Sequence, residues 1–272
     1  MSPAFEPTHK TVETDGAKLH VWYQGSGPLL IFIAGAAQSG ACFDPAITEL
    51  SEHYTAVAYD RRGYTTSPVE KKALLNPAQS ARDVVAIIEA LGFQKATIFG
   101  TSAGGIIALQ VGVSYPEHVE HLIVHEAPTT SLLPDTTEWL DFCAAACERY
   151  RTRGALAALG LFGSKMVGVP SDEVVPETTV QNAPFFFEYE FTIFTIYTPN
   201  LAKLRDNNVS MVVVAGEESK DAWYARTTIV QAEMIECPRI VWPGAHTLYK
   251  VKPHVFVETL LDTLKELREG EN

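Results

Sequence analysis

Short runs in which nearly every position is apolar alternate along the chain with segments whose apolar positions recur at helical spacing. The runs are PLLIFIAG (28–35), TAVAYD (55–60), ATIFG (96–100), HLIVHEA (121–127), MVVVAG (211–216) and RIVWPG (239–244), with KLHVWYQ before them leading into a Gly-rich turn. Runs this short, rich in β-branched residues and without polar alternation, suit strands covered on both faces, as in a parallel sheet. Between them, Asn76-Pro77 supplies a cap and a first-turn proline for AQSARDVVAIIEALG, which closes at Gly92. SAGGIIALQVGVSYP reads as a helix that stops before Pro116, and PHVFVETLLDTLKELREG as an amphipathic helix near the C-terminus. This alternation predicts an α/β chain with a doubly wound, mostly parallel sheet.

The alternation stops between about 128 and 205. There TEWLDFCAAACERYRTRGALAALGLFG reads as one or two helices, and NAPFFFEYEFTIFTIYTPN is unusually aromatic. The expected organisation is therefore a core formed by 1–127 and 206–272, interrupted by a helical cap over 128–205.

Composition narrows the function classes. With 46% hydrophobic and 20% charged residues, the 272-residue chain can bury a sizeable core. Its net charge of −12 argues against nucleic acid or an anionic membrane surface as partner. No apolar run approaches the ~20 residues needed to cross a bilayer, and the N-terminus has no secretory h-region. Four cysteines without CxxC spacing or a nearby histidine read as small buried hydrophobes in a reducing, cytoplasmic setting. A homodimer is the expected assembly, with no sequence signal of its own.

The chemistry centres on the change of character inside ATIFGTSAGGIIALQVGV. Gly100-Thr101-Ser102-Ala103-Gly104 fits G-x-S-x-G, with a strand before it and a helix after it. At such a turn the nucleophile is held in strained backbone, and glycines two residues to either side prevent clashes. A serine hydroxyl needs a base. Among eight histidines, His246 stands out because it follows the final strand run and precedes the C-terminal helix. His254 reads as that helix's first turn, and His118 and His121 as structural.

With these residues in place, the chain resembles the α/β-hydrolases over essentially its whole length. The resemblance implies an acid three residues past the glycine of MVVVAG, but Gly216-Glu217-Glu218-Ser219 has serine there. Some family members carry the acid one strand earlier, and Glu126 in HLIVHEAPTT occupies that position; Glu218 and Asp221 are the alternatives. The implied oxyanion hole takes one N–H from Ala103 and one from IFIAGAAQSG, with Ala36 the choice and Ala37 the alternative by one residue. Asp60-Arg61-Arg62-Gly63-Tyr64-Thr65-Thr66-Ser67 resembles the family's D-x-R-G-x-G-x-S turn, in which Asp60 and Arg62 are structural.

Together these imply acyl transfer to water by Ser102, His246 and Glu126, without metal or cofactor. Serine in place of aspartate as nucleophile argues against haloalkane dehalogenase and epoxide hydrolase chemistry. The expected partner is a small apolar ester or lactone, in a pocket drawing on Ala37, Leu133, Trp139, Met166, Phe186, Phe187 and Tyr189. Within the family, HEAPTT, PGAHTLYKVKPHVF and NAPFFFEYE resemble fungal zearalenone lactonases, which open a macrocyclic resorcylic lactone. Those enzymes set a tryptophan against the substrate ring, and Phe186 is the nearest position here. A C–C bond hydrolase of 1,3-diketone-like substrates would use the same triad, and a ligand-binding receptor of this fold would keep the pocket without turnover.

Overall fold

A computed structural model describes residues 4–168 and 174–270. The chain runs through β1 (Thr8–Thr14), β2 (Ala17–Gln24), β3 (Leu29–Ile33), α1 (Asp44–Leu50), β4 (Thr55–Tyr59), α2 (Pro77–Ala90), β5 (Ala96–Thr101), α3 (Ala103–Ser114) and β6 (Val119–His125). There follow α4 (Thr136–Gly163), α5 (Glu177–Phe185), a π-helical turn (Phe186–Glu190), α6 (Phe191–Ile196) and α7 (Leu201–Asp206). The chain then returns through β7 (Met211–Gly216), α8 (Trp223–Ile235), β8 (Arg239–Trp242), α9 (Leu248–Val251) and α10 (Pro253–Glu269).

Among the described residues, eight strands form one sheet in the order β1-β2-β4-β3-β5-β6-β7-β8. β2 runs antiparallel to both β1 and β4, and every pairing from β4 to β8 is parallel. Every residue of β3, β4, β5 and β7 is buried, as the unbroken apolar runs require. Alternate side chains serve two cores. Ile31, Ile33 and Ile98 meet α2 and α3 on one face, while Leu30, Phe32 and Phe99 meet α1 and α10 on the other.

The sequence left β1 unread because THKTVET is almost wholly polar, and this edge strand is exposed at most positions. The Asn76 side chain caps α2 by accepting from the Ala78 N–H at 2.9 Å, and Pro77 opens the helix. α3 is buried from Ala103 to Val113, sandwiched rather than amphipathic.

Strand order reverses about β3: β4 lies on one side of it and β5 on the other. In open α/β sheets the crevice at such a reversal, beyond the carboxyl ends of the strands, is where ligands collect. Ala36 follows β3 and Ser102 follows β5, so both stand at this crevice. Among its described residues the segment between β6 and β7 carries helices joined by loops, and no strand. Its long α4 is broken at Gly154, where φ is +79°, and α7 returns to pack its Leu204 beside Gly112 of α3.

Candidate active site

Ser102 occupies the single residue between β5 and α3, with φ 55° and ψ −124°. Non-glycine residues rarely tolerate positive φ, and this one is fixed from several sides. The Ser102 N–H donates to the His125 carbonyl at 2.9 Å, and its own carbonyl accepts from the Gly105 N–H at 2.8 Å. The flanking glycines are required by contact. A Cβ on Gly104 would lie 2.1 Å from the Ile33 carbonyl oxygen, and one on Gly100 would lie 2.4 Å from that of Gly104. Only hydrogen at these positions lets α3 start directly against β3 and β5.

His246 and Glu126 meet across 120 residues of sequence. Glu126 follows β6 with φ 48°, a bend that ends the strand before the full HLIVHEA run. Its Oε2 accepts from His246 Nδ1 at 2.5 Å, and its Oε1 accepts from the Gly216 N–H at 2.8 Å. With Nδ1 committed to the carboxylate, Nε2 is the nitrogen free to take a proton. The His246 ring is further held by Tyr224, at 4.3 Å between centroids, and by His125 at 5.6 Å.

Glu126 is wholly buried, and burial pushes its pKa up, but the neighbouring His125 and His246 and the Gly216 N–H outweigh this and hold it at about 2. Burial pushes His125 down to about 4, so at neutral pH it is an uncharged neighbour. The alternative acids Glu218 and Asp221 are exposed. His254 is exposed at the start of α10, 2.9 Å from Glu49, and lines neither of the cavities described below. His125, Glu126 and His246 also present ligand-type atoms within 4.8 Å of one another. A cation there would have to displace the His246–Glu126 bond.

Two cavities meet at Ser102. The inner one is walled by Trp139, Phe142, Phe162, Phe186, Phe191, Phe194 and Trp223, with Ala36, Ser102 and Ala103 at its floor. It holds about 40 Å³ of free space, room for only a few water-sized groups. The outer cleft is far larger, about 540 Å³, and carries His246 with Gln38, Met166, Thr179, Thr247 and Lys250. Ser102 and Ala36 border both.

Of the residues expected to line a pocket, Trp139 and Phe186 face the inner cavity and Met166 the outer cleft. The others lie elsewhere. Leu133 packs in a small cluster with Ala215 and Trp223. Phe187 stacks on Tyr150 at 5.3 Å, and Tyr189 packs on Phe185 at 5.2 Å. Ala37 is buried, and its N–H donates to the Tyr64 hydroxyl at 3.0 Å. That N–H is therefore occupied, whereas Ala36 reaches the cavity. Nothing in the sequence singles out Phe142, Phe162, Trp223, Tyr224 or His125 for this site. Their periodicity is that of ordinary core, and only the folded chain brings Phe142, Phe162 and Trp223 to the cavity at Ser102 and Tyr224 and His125 to the His246 ring.

A family model described as alpha/beta hydrolase fold matches residues 28–168, just over half of the chain, and the chain belongs to that family. An uncharacterized hydrolase, YraK of Bacillus subtilis (strain 168), is 26% identical over 94% of this chain and 96% of its own. Among solved structures, a thermophilic esterase from Thermogutta terrifontis superposes with a TM-score of 0.77 at 18% identity, covering 96% of this chain and 99% of that one. Est816, described as an N-acyl homoserine lactone degrading enzyme, gives 0.71 at 21% identity over 93% and 99%. At these identities the structural likeness is one of fold. The protein is thus a member of the α/β-hydrolase family, and no helix among its described residues is long and apolar enough to cross a membrane.

Proposed function

We propose that this protein is a serine hydrolase that cleaves a carboxylic ester or lactone through an acyl-enzyme. The observation that carries the reading is the convergence at one crevice of a strained Ser102, a His246 imidazole oriented by Glu126, and the backbone of Ala36 and Ala103. Ser102 Oγ attacks the carbonyl carbon as its proton passes to His246 Nε2, and the carbonyl oxygen becomes an oxyanion. The N–H groups of Ala36 and Ala103 receive that charge, the latter aided by the positive end of α3. Glu126 holds the imidazole in the required tautomer and stabilises the imidazolium. His246 then returns the proton to the leaving alkoxide, and water removes the acyl group by the same steps.

The two cavities suggest how substrate divides. A short, slender apolar acyl portion fits the narrow aromatic inner pocket, and the bulk of the molecule, with its polar groups, extends into the outer cleft. The aromatic segment 128–205 acts as the cap that sets this division. A zearalenone-type macrolactone is the particular substrate that the local motifs favour, with Phe186 taking the place of a ring-contacting tryptophan.

The test is incubation with zearalenone and with p-nitrophenyl esters, beside labelling of Ser102 by a fluorophosphonate. A product one water heavier than zearalenone, absent with Ser102→Ala, supports the macrolactone reading. Turnover of simple esters alone narrows it to an esterase. Failure of Ser102 to label would point instead to a receptor that keeps the pocket without the chemistry.

A further inference from the structure

Arg61, Tyr64 and Glu190 form a buried polar cluster that the catalytic steps above do not use. Glu190, at the end of the π-helical turn, is 1% exposed, as is Tyr64, and Arg61 is 2% exposed. Arg61 Nη2 donates to Glu190 Oε1 at 3.0 Å, and the Tyr64 hydroxyl donates to Glu190 Oε2 at 2.6 Å. Burial, first of all, pushes the Tyr64 hydroxyl well above its ordinary pKa, so it keeps the proton it donates.

A buried ion pair seldom adds stability over an apolar filling of the same volume. This one is incompletely satisfied, since Arg61 Nε and Nη1 have no protein partner. What it fixes is a position. Arg61 Nη2 also donates to the Gly35 carbonyl at 2.8 Å, and the Tyr64 hydroxyl accepts from the Ala37 N–H at 3.0 Å. The two anchors bracket Ala36, which lines both cavities beside Ser102. Ala37 has φ 55°, a conformation that persists only where the surroundings impose it.

The helical insertion supplies further ties to the same loop. Asn182 of α5 donates from Nδ2 to the Ala37 carbonyl at 3.2 Å, and its Oδ1 accepts from the Thr65 N–H at 2.7 Å. Phe185 lies so close to Gly63 that a Cβ there would meet its ring at 2.3 Å.

We propose that Glu190 is a positioning residue: reaching from the insertion through Arg61 and Tyr64, it holds the Gly35–Ala37 loop so that the Ala36 N–H faces the oxyanion. This rests on the serine-hydrolase reading above. The insertion thereby sets catalytic power as well as pocket shape, because its seating on the Asp60–Ser67 turn and the geometry of the oxyanion hole are one linkage.

The experiment compares Glu190→Gln and Tyr64→Phe with wild type in three measurements. These are cooperative thermal unfolding, kcat and KM on p-nitrophenyl esters, and inhibition by an aryl trifluoromethyl ketone, which adds to serine as a tetrahedral oxyanion. The Ala36 N–H matters most once negative charge develops. The expected result is therefore a kcat lower by about 10- to 100-fold in a variant that still unfolds cooperatively. KM should be little changed, and ketone affinity should fall in parallel with kcat. A folded variant with wild-type kcat, or one that loses kcat while keeping ketone affinity, overturns the proposal. If Glu190→Gln does not fold, the single hydroxyl lost in Tyr64→Phe carries the test, and if neither folds the cluster is structural and the proposal fails. Wild type that resists fluorophosphonate labelling would overturn the hydrolase reading itself. Labelled wild type with an equally fast Glu190→Gln would overturn this inference alone.

Discussion

In the proposed reaction, single residues decide the chemistry at Ser102, His246 and Glu126. Replacing Ser102 or His246 with alanine should abolish ester turnover while thermal unfolding remains cooperative, which a paired activity and unfolding assay would check. Glu126→Ala removes the partner of a buried imidazole and should lower kcat by about 10³- to 10⁴-fold. A variant within a factor of a few of wild type would mean that another carboxylate does this work. The sequence placed the serine clearly, because a strand, a small-residue turn and a helix follow one another in a single local stretch. It placed the histidine by its position between two elements. Glu126 was legible only through family resemblance, since nothing local to HLIVHEA says that its carboxylate meets residue 246. Arg61 and Glu190 were not legible at all: they lie 129 residues apart in a turn and an aromatic helix end.

At the scale of elements, the turn from β5 to α3 depends on direct contact between backbones. Gly104→Ala would drive a methyl into the Ile33 carbonyl at 2.1 Å, so the helix must retreat from the sheet. A lowered melting temperature together with lost activity is the expected outcome, read by calorimetry and ester hydrolysis. The insertion offers a gentler experiment. Phe186 walls the inner cavity and packs on Phe162 and Phe191. Phe186→Ala should enlarge that pocket and shift preference toward longer acyl chains, measured as kcat/KM across p-nitrophenyl acetate, butyrate and octanoate. An unchanged ranking would show that the acyl group sits elsewhere. The sequence marked the first part of the insertion as helical and the second as unusually aromatic, but neither showed which aromatics face the serine. Phe186 and Phe187 are neighbours, yet one lines the cavity and the other stacks on Tyr150.

For the molecule as a whole, the buried site makes stability depend on acid. His125 has its pKa lowered from 6.5 to about 4 by burial, so the unfolded chain binds a proton that the folded chain refuses between those values. Its contribution is present above pH 6.5 and lost as pH falls toward 4. Glu126, lowered from 4.5 to about 2, acts in the same direction over the next interval down. Melting temperature should therefore fall between pH 6.5 and 4. His125→Asn, which cannot titrate, should flatten that slope, and an identical slope in the variant would assign the acid sensitivity to other groups.

The sequence by itself determined the buried strands, the helices α2, α3 and α10 packed on them and the strand-to-helix turn at Ser102. Each follows from short-range pattern: apolar runs bury on both faces, caps and prolines start helices, and small residues permit a tight turn. The tertiary structure alone decided which distant groups share one crevice. The reversal of strand order about β3 brings the loop after β3 to Ser102. The parallel run β6-β7-β8 brings Glu126 to Gly216 on the neighbouring strand and to His246 in the loop after β8, two strands away. The return of the helical insertion onto the Asp60–Ser67 turn joins Glu190 to Arg61 and Tyr64. These meetings are set by topology and by the packing of whole layers, and no window of neighbouring residues contains them.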